Sequence, residues 1–137
     1  MKTSGYSGTP LAKKLGIKED FTILLVQQPE HYFDLFIDLP RIKLLKTTKD
    51  GTADFIHFFG TNKKDFEKQS VRLKSALRKT GMLWISWPKG SSKIPTDLSR
   101  DYIREYLLSN GLVDVKVCAV DGDWSGLKFV YRLKDRE

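Results

Sequence analysis

Two nearly continuous apolar runs constrain this chain more than anything else in it: Phe21-Thr22-Ile23-Leu24-Leu25-Val26 and Ala53-Asp54-Phe55-Ile56-His57-Phe58-Phe59. Neither alternates apolar with polar residues, as a strand with one wet face would. Such runs suit strands buried on both faces, the situation of a parallel sheet with helices on either side.

The intervening segments fit that arrangement. Asn62 to Lys79 reads as a helix with Asn62 as its cap, Asp65 reaching back as a weakened capping box, and Gly81 as its stop. Its apolar stripe is Phe66, Ser70, Leu73 and Leu77, flanked by Ala76. Met82 to Trp87 follows as a strand, and Thr96 or Asp97 reads as the cap of a helix from about Leu98 to Ser109. Pro29 opens a short aromatic helix, PEHYFDLFIDL, that ends before Pro40. A weaker strand is expected over Ile42 to Lys46. Val113 to Val120 and Leu127 to Leu133, joined by DGDWSG, read as an antiparallel hairpin. At the N-terminus an arm runs into a small helix, with Thr9 as cap, Pro10 at the first helical position and Gly16 as stop.

Alternation of strand and helix followed by a hairpin predicts an α/β, Rossmann-like three-layer sandwich. Its sheet is expected to be mostly parallel, of about six strands, with the antiparallel hairpin at the C-terminal end. A chain of 137 residues supports one core of that kind, so a single domain is expected over 1–137, with 1–16 as arm and short helix. Cys118 is the only cysteine, which excludes an intrachain disulfide, and mid-strand it reads as a core residue. With no apolar signal core and no run near the roughly 20 apolar residues of a membrane span, the expectation is a cytoplasmic protein with no membrane association.

The segment Leu77-Arg78-Lys79-Thr80-Gly81-Met82-Leu83-Trp84-Ile85, with the closing hairpin, resembles the corresponding parts of class I methyltransferase folds. That resemblance implies S-adenosylmethionine (SAM) against the exit of the first strand, at a glycine-rich turn, with an acid after the second strand holding the ribose. Here the first turn is Val26-Gln27-Gln28-Pro29-Glu30-His31, without glycine, and the second strand ends Leu45-Lys46-Thr47, without an acid. On those grounds SAM is not expected, nor is any other cofactor. A longer resemblance runs through Tyr6 to Ile17, Trp87-Pro88-Lys89, Thr96-Asp97-Leu98, Gly111 to Asp121 and Trp124 to Val130. It is to a bacterial family known as a domain of unknown function, and it implies a small methyltransferase-like domain without assigned catalytic residues.

Ligands of open α/β sheets bind beyond the C-terminal ends of the parallel strands. The candidate ligand-binding residues at that rim are Lys89, Lys93, Thr96 and Asp97 after the fourth strand, and Asp121, Trp124 and Ser125 at the hairpin, with Asp123 beside them. In the loop Lys89-Gly90-Ser91-Ser92-Lys93, two cations and two hydroxyls suit an anion, although the spacing is not that of a P-loop. The run from Asp121 to Gly126 has calcium-loop donors, but Arg132 stands where a bidentate glutamate is needed, and His31 and His57 have no partner at metal-ligand spacing, so no metal is expected. Lys64, Lys68, Arg72 and Lys79 form a basic stripe that could follow a nucleic-acid backbone or simply face water.

An excess of 24 Lys and Arg over 17 Asp and Glu, a net +7, favours anionic partners in general. The leading functional reading is a non-catalytic, or at least SAM-independent, domain that binds a ligand or partner, an anionic small molecule or a protein, at this rim. The alternatives are a reduced methyltransferase relative acting on an anionic small molecule, and a basic nucleic-acid accessory protein.

Overall fold

A computed structural model describes residues 9–136. Its elements are helix α1 (Leu11–Leu15), strands β1 (Thr22–Val26), β2 (Lys43–Leu44) and β3 (Ala53–Phe59), helix α2 (Lys63–Ala76), strand β4 (Leu77–Pro88), helix α3 (Arg100–Ser109), and strands β5 (Leu112–Ala119) and β6 (Trp124–Tyr131). The strands form one six-stranded sheet in the order β2-β1-β3-β4-β6-β5. β2, β1, β3 and β4 are parallel, while β6 is inserted antiparallel between β4 and β5. β5 is therefore parallel to β4, and the hairpin tip lies at the same edge as the exits of β1, β3 and β4. This is the Rossmann-like layout expected from the alternation.

Side chains alternate across the sheet because the strand period is two. Ile56, Phe58, Leu83, Ile85, Leu127 and Phe129 face α2 and α3, where they meet Phe66, Leu73, Ile103 and Leu107. Ile23, Phe55 and Trp84 face the other way and pack on Leu11, Ala12 and Leu15 of α1. The Trp84 indole N–H donates to the Leu15 carbonyl at 2.8 Å, which anchors that short helix to the sheet. Gly16 ends it at φ 88°, the left-handed stop its position suggested.

Several boundaries depart from expectation. The aromatic segment after Pro29 makes only a 3-10 turn, Tyr32–Leu35, and Phe36 is already extended. Tyr32 is drawn inward against Phe36, His57 and Phe59. The strand expected over Ile42 to Lys46 pairs only at Lys43 and Leu44, at the sheet's edge. β1 is fully buried only at Ile23 and Leu24.

α2 stops at Ala76, so Leu77 and Lys79 belong to β4. Leu77 pairs with Ala53 and Met82 with Phe55, so Arg78 to Gly81 bulge opposite Asp54 alone. Gly81 is thus no helix stop. A Cβ there would lie 2.9 Å from both the Ala53 and Asp54 carbonyl oxygens, so glycine permits the close approach of β4 to β3. Asp54 secures this corner by accepting from the Thr22 N–H at 2.8 Å and pairing with Arg78 at 3.0 Å.

Candidate functional site at the C-terminal edge of the sheet

β1 connects to β2 on one side and its other neighbour is β3, so the strand order reverses between β1 and β3. A crevice at such a reversal is where open α/β sheets take their ligands. At the exit of β1, Gln27 adopts φ 61°, a left-handed conformation ordinarily left to glycine. Its side-chain amide spans the crevice: Nε2 donates to the Phe59 carbonyl at 2.7 Å, and Oε1 accepts from Gln69 of α2 at 3.1 Å. Gln69 in turn binds Asp65 and Arg72, so the mouth is lined by coupled amides.

Beside the crevice the loops converge. His31 Nε2 is 3.0 Å from Asp121 Oδ2, which joins the β1 turn to the hairpin. The Lys89 N–H donates to the Asp123 carbonyl at 2.8 Å, joining the β4 loop to the same hairpin. Beneath them Tyr32, Phe59, Val120 and Trp124 form a small aromatic core with Ile94 of the loop packed on it.

A buried polar chain runs under that core. The Tyr32 hydroxyl is 3.0 Å from His57 Nδ1, and His57 Nε2 is 2.8 Å from the Ser86 hydroxyl. His57 is wholly buried, and burial pulls its pKa down to about 3, so it is a neutral imidazole that donates through one ring nitrogen and accepts through the other. Burial likewise pushes the Tyr32 phenol well up.

The residues singled out from sequence occupy distinct positions at this edge. Asp121 and Lys89 are brought together through the hairpin, as just described, and Lys93 is exposed on the loop. Thr96 and Asp97 do not cap α3, which is capped by Ser99 accepting from the Tyr102 N–H at 3.2 Å. Asp97 instead accepts from the Lys63 N–H at 2.8 Å, and Thr96 donates to the Thr61 carbonyl at 2.7 Å. The loop is long enough to fold back onto the start of α2, where Asn62 has left the Lys63 donor open by capping Asp65. Asp65 turns toward Gln69, so the reciprocal capping box does not form.

Trp124 is buried, with its ring edge-on to Phe59 at 5.0 Å, and Ser125 lies within β6 between Trp87 and Ala119. Of the basic stripe, Lys64, Lys68 and Arg72 lie on exposed turns of α2, whereas Lys79 lies in β4 with its ammonium 4.4 Å above the Tyr131 ring. Cys118 is half-buried on the outer strand, packed against the core on the α1 side. Gln27, Gln69, His31 and the Tyr32–His57–Ser86 chain were not selected as site residues from sequence. The histidines and the aromatic cluster are visible there, but their partners lie 25 to 90 positions away. Among the described residues no group of three His, Cys, Asp or Glu side chains could hold a metal ion, and no helix is long and apolar enough to cross a membrane.

No family model and no curated protein matches the chain. Solved structures do. A SAM dependent methyltransferase from Aquifex aeolicus superposes with a TM-score of 0.60 at 18% identity, over 87% of this chain and 86% of that one. A ribosomal protein L11 methylase from Lactobacillus delbrueckii subsp. bulgaricus gives 0.60 at 16% identity, over 89% and 76%. DhpI in complex with S-adenosylhomocysteine (SAH) gives 0.60 at 13% identity, over 90% and 83%. The chain has the class I methyltransferase fold.

This corrects two readings, that SAM is not expected and that the domain works independently of it: the structures that share this fold include a SAM dependent methyltransferase, and two of them hold SAH. The first turn lacks glycine, yet Gln27 takes there the positive φ ordinarily left to it. The side chains differ from the expected set. No acid directly follows β2, Asp50 coming six positions after Leu44, and the amides of Gln27 and Gln69 bridge the β1 exit to α2.

Proposed function

We propose that this chain is a small SAM-dependent methyltransferase that binds its cofactor at the β1–β3 crevice. The observation that carries the reading is the left-handed turn at Gln27, placed where the strand order reverses. Bound there, SAM would supply a methyl group activated by its sulfonium.

The chain's own residues bind and position. The Gln69 amide offers a donor and an acceptor to ribose hydroxyls in place of a carboxylate, while the Gln27 side chain, bonded across to Phe59, guards the entry. The aromatic core under Trp124 supports the hairpin, and His31 and Asp121 border the acceptor side of the rim. Lys89 and Lys93 stand on the neighbouring loop and suit an anionic acceptor. The same reading takes residues 1–137 as one domain of a cytoplasmic protein and a member of the bacterial family of unknown function that its longer motifs resemble. Tyr6 to Gly8 of those motifs lie outside the described residues.

Isothermal calorimetry with SAM and with SAH tests the proposal. Micromolar binding of either is expected, and absence of heat at millimolar ligand would overturn it.

A further inference from the structure

The α1 side of the β5–β6 pair gathers four lysines, and the acids that follow Lys18 in the chain, Glu19 and Asp20, pair with Arg41 instead. Lys116 on β5 and Lys128 on β6 stand directly opposite one another in the register. Lys128 also reaches the end of α1, where its Nζ lies 3.8 Å from the position a Cβ would take on Gly16. Lys14 of α1 and Lys18 just after it complete the group. Lys14 and Lys116 both act on the Cys118 thiol between them, and Lys116 and Lys18 both act on Lys128.

None of the four side chains makes an ion pair or hydrogen bond with another described residue. Like charges directly opposite on neighbouring strands destabilise a sheet. Burial first, and then repulsion from Lys116 and Lys18, lowers the pKa of Lys128. A sheet that keeps such a pair gains whenever an anion sits between them.

The charge chemistry selects the anion. All four are lysines, flexible point charges that suit phosphate oxygens, with no arginine fork to grip a planar carboxylate. They spread from α1 across two strands, so they match a chain of phosphates better than a single one. The Lys64–Lys68 stripe of α2 lies on the opposite side of the sheet and takes no part. We infer that the face formed by Lys14, Lys18, Lys116 and Lys128 binds a nucleic-acid strand through its phosphates, without reading its sequence. This stands independently of the SAM reading, which concerns the sheet's C-terminal edge.

Fluorescence anisotropy of the full chain with a labelled single-stranded oligoribonucleotide, across a salt series, tests it. Contacts to four phosphates predict a log–log salt slope near about −3, at roughly 0.7 per contact. Lys116→Glu places a carboxylate opposite Lys128, so it should raise the Tm while weakening binding about tenfold and flattening the slope. Lys128→Gln gives a second variant that removes a charge and keeps the fold, with a slope loss of about 0.7. Reversing Lys64 and Lys68 should leave the affinity unchanged. Unaltered binding in both face variants would sink the proposal, as would poly-glutamate competing as well as RNA of equal charge.

Discussion

His31 Nε2 and Asp121 Oδ2 lie 3.0 Å apart although 90 residues separate them in the chain. The other oxygen of Asp121 accepts from the Asp123 N–H at 2.8 Å and the Trp124 N–H at 3.0 Å. One carboxylate therefore shapes the hairpin and holds the imidazole of the β1 turn, so the rim is built as a unit.

The two ends of that contact should not cost the same to remove. His31 is half exposed, and an exposed pair contributes about 1 kcal/mol or less, so His31→Ala should change stability little. Asp121→Ala also frees two backbone donors of the turn and should cost about 1–3 kcal/mol. Urea unfolding of both variants measures the difference, and equal losses would show that the turn bonds contribute nothing.

His57 should make stability depend on acidity. Its folded pKa of about 3 lies below the ordinary 6.5, so between these values the unfolded chain binds the extra proton. This contribution is fully present above about pH 6.5 and is lost as pH falls, by up to about 1.4 kcal/mol per unit. His57→Gln keeps a neutral group between Tyr32 and Ser86 and should flatten the profile between pH 4 and 6, read from urea midpoints at each pH.

Two glycines should respond in opposite ways. Gly81→Ala forces a Cβ to 2.9 Å from two backbone oxygens that cannot rotate away, for a cost of about 1–3 kcal/mol. Gly90 has open space around it, so Gly90→Ala should stay within about 0.5 kcal/mol of the parent. Thermal melts of the two variants decide this, and a neutral Gly81→Ala would mean that β3 and β4 can separate there.

Gln27 should govern access to the crevice. Gln27→Gly keeps the left-handed turn without strain and removes the amide that crosses to Phe59. SAH should then bind more tightly, and at a hundredfold excess over its Kd it should stabilise the fold by about 2.7 kcal/mol. A ligand-induced Tm shift measures it. Weaker binding in the variant would reassign the Gln27 amide from obstacle to ligand contact.

What the sequence by itself determined was local. The apolar run from Ala53 to Phe59 is β3 to the residue, and Asn62 caps the helix it was read to cap, because burial pattern and cap spacing depend on near neighbours. The order of strands and helices, and hence the fold class, followed from the same periodicities. Tertiary structure decided every partner that is distant in the chain. Asp97 reads as a cap for the helix following it, yet it serves α2, 34 positions back, because the loop folds onto that helix start. Gly81 reads as a stop, yet it marks where two strand backbones nearly touch. The glycine-free turn at Gln27 reads as a lost cofactor site, yet its backbone is left-handed. Side-chain identity constrains a backbone angle only statistically. The hydrogen bonds that hold Gln27 in place come from β3 and α2, which meet it only once the sheet has formed.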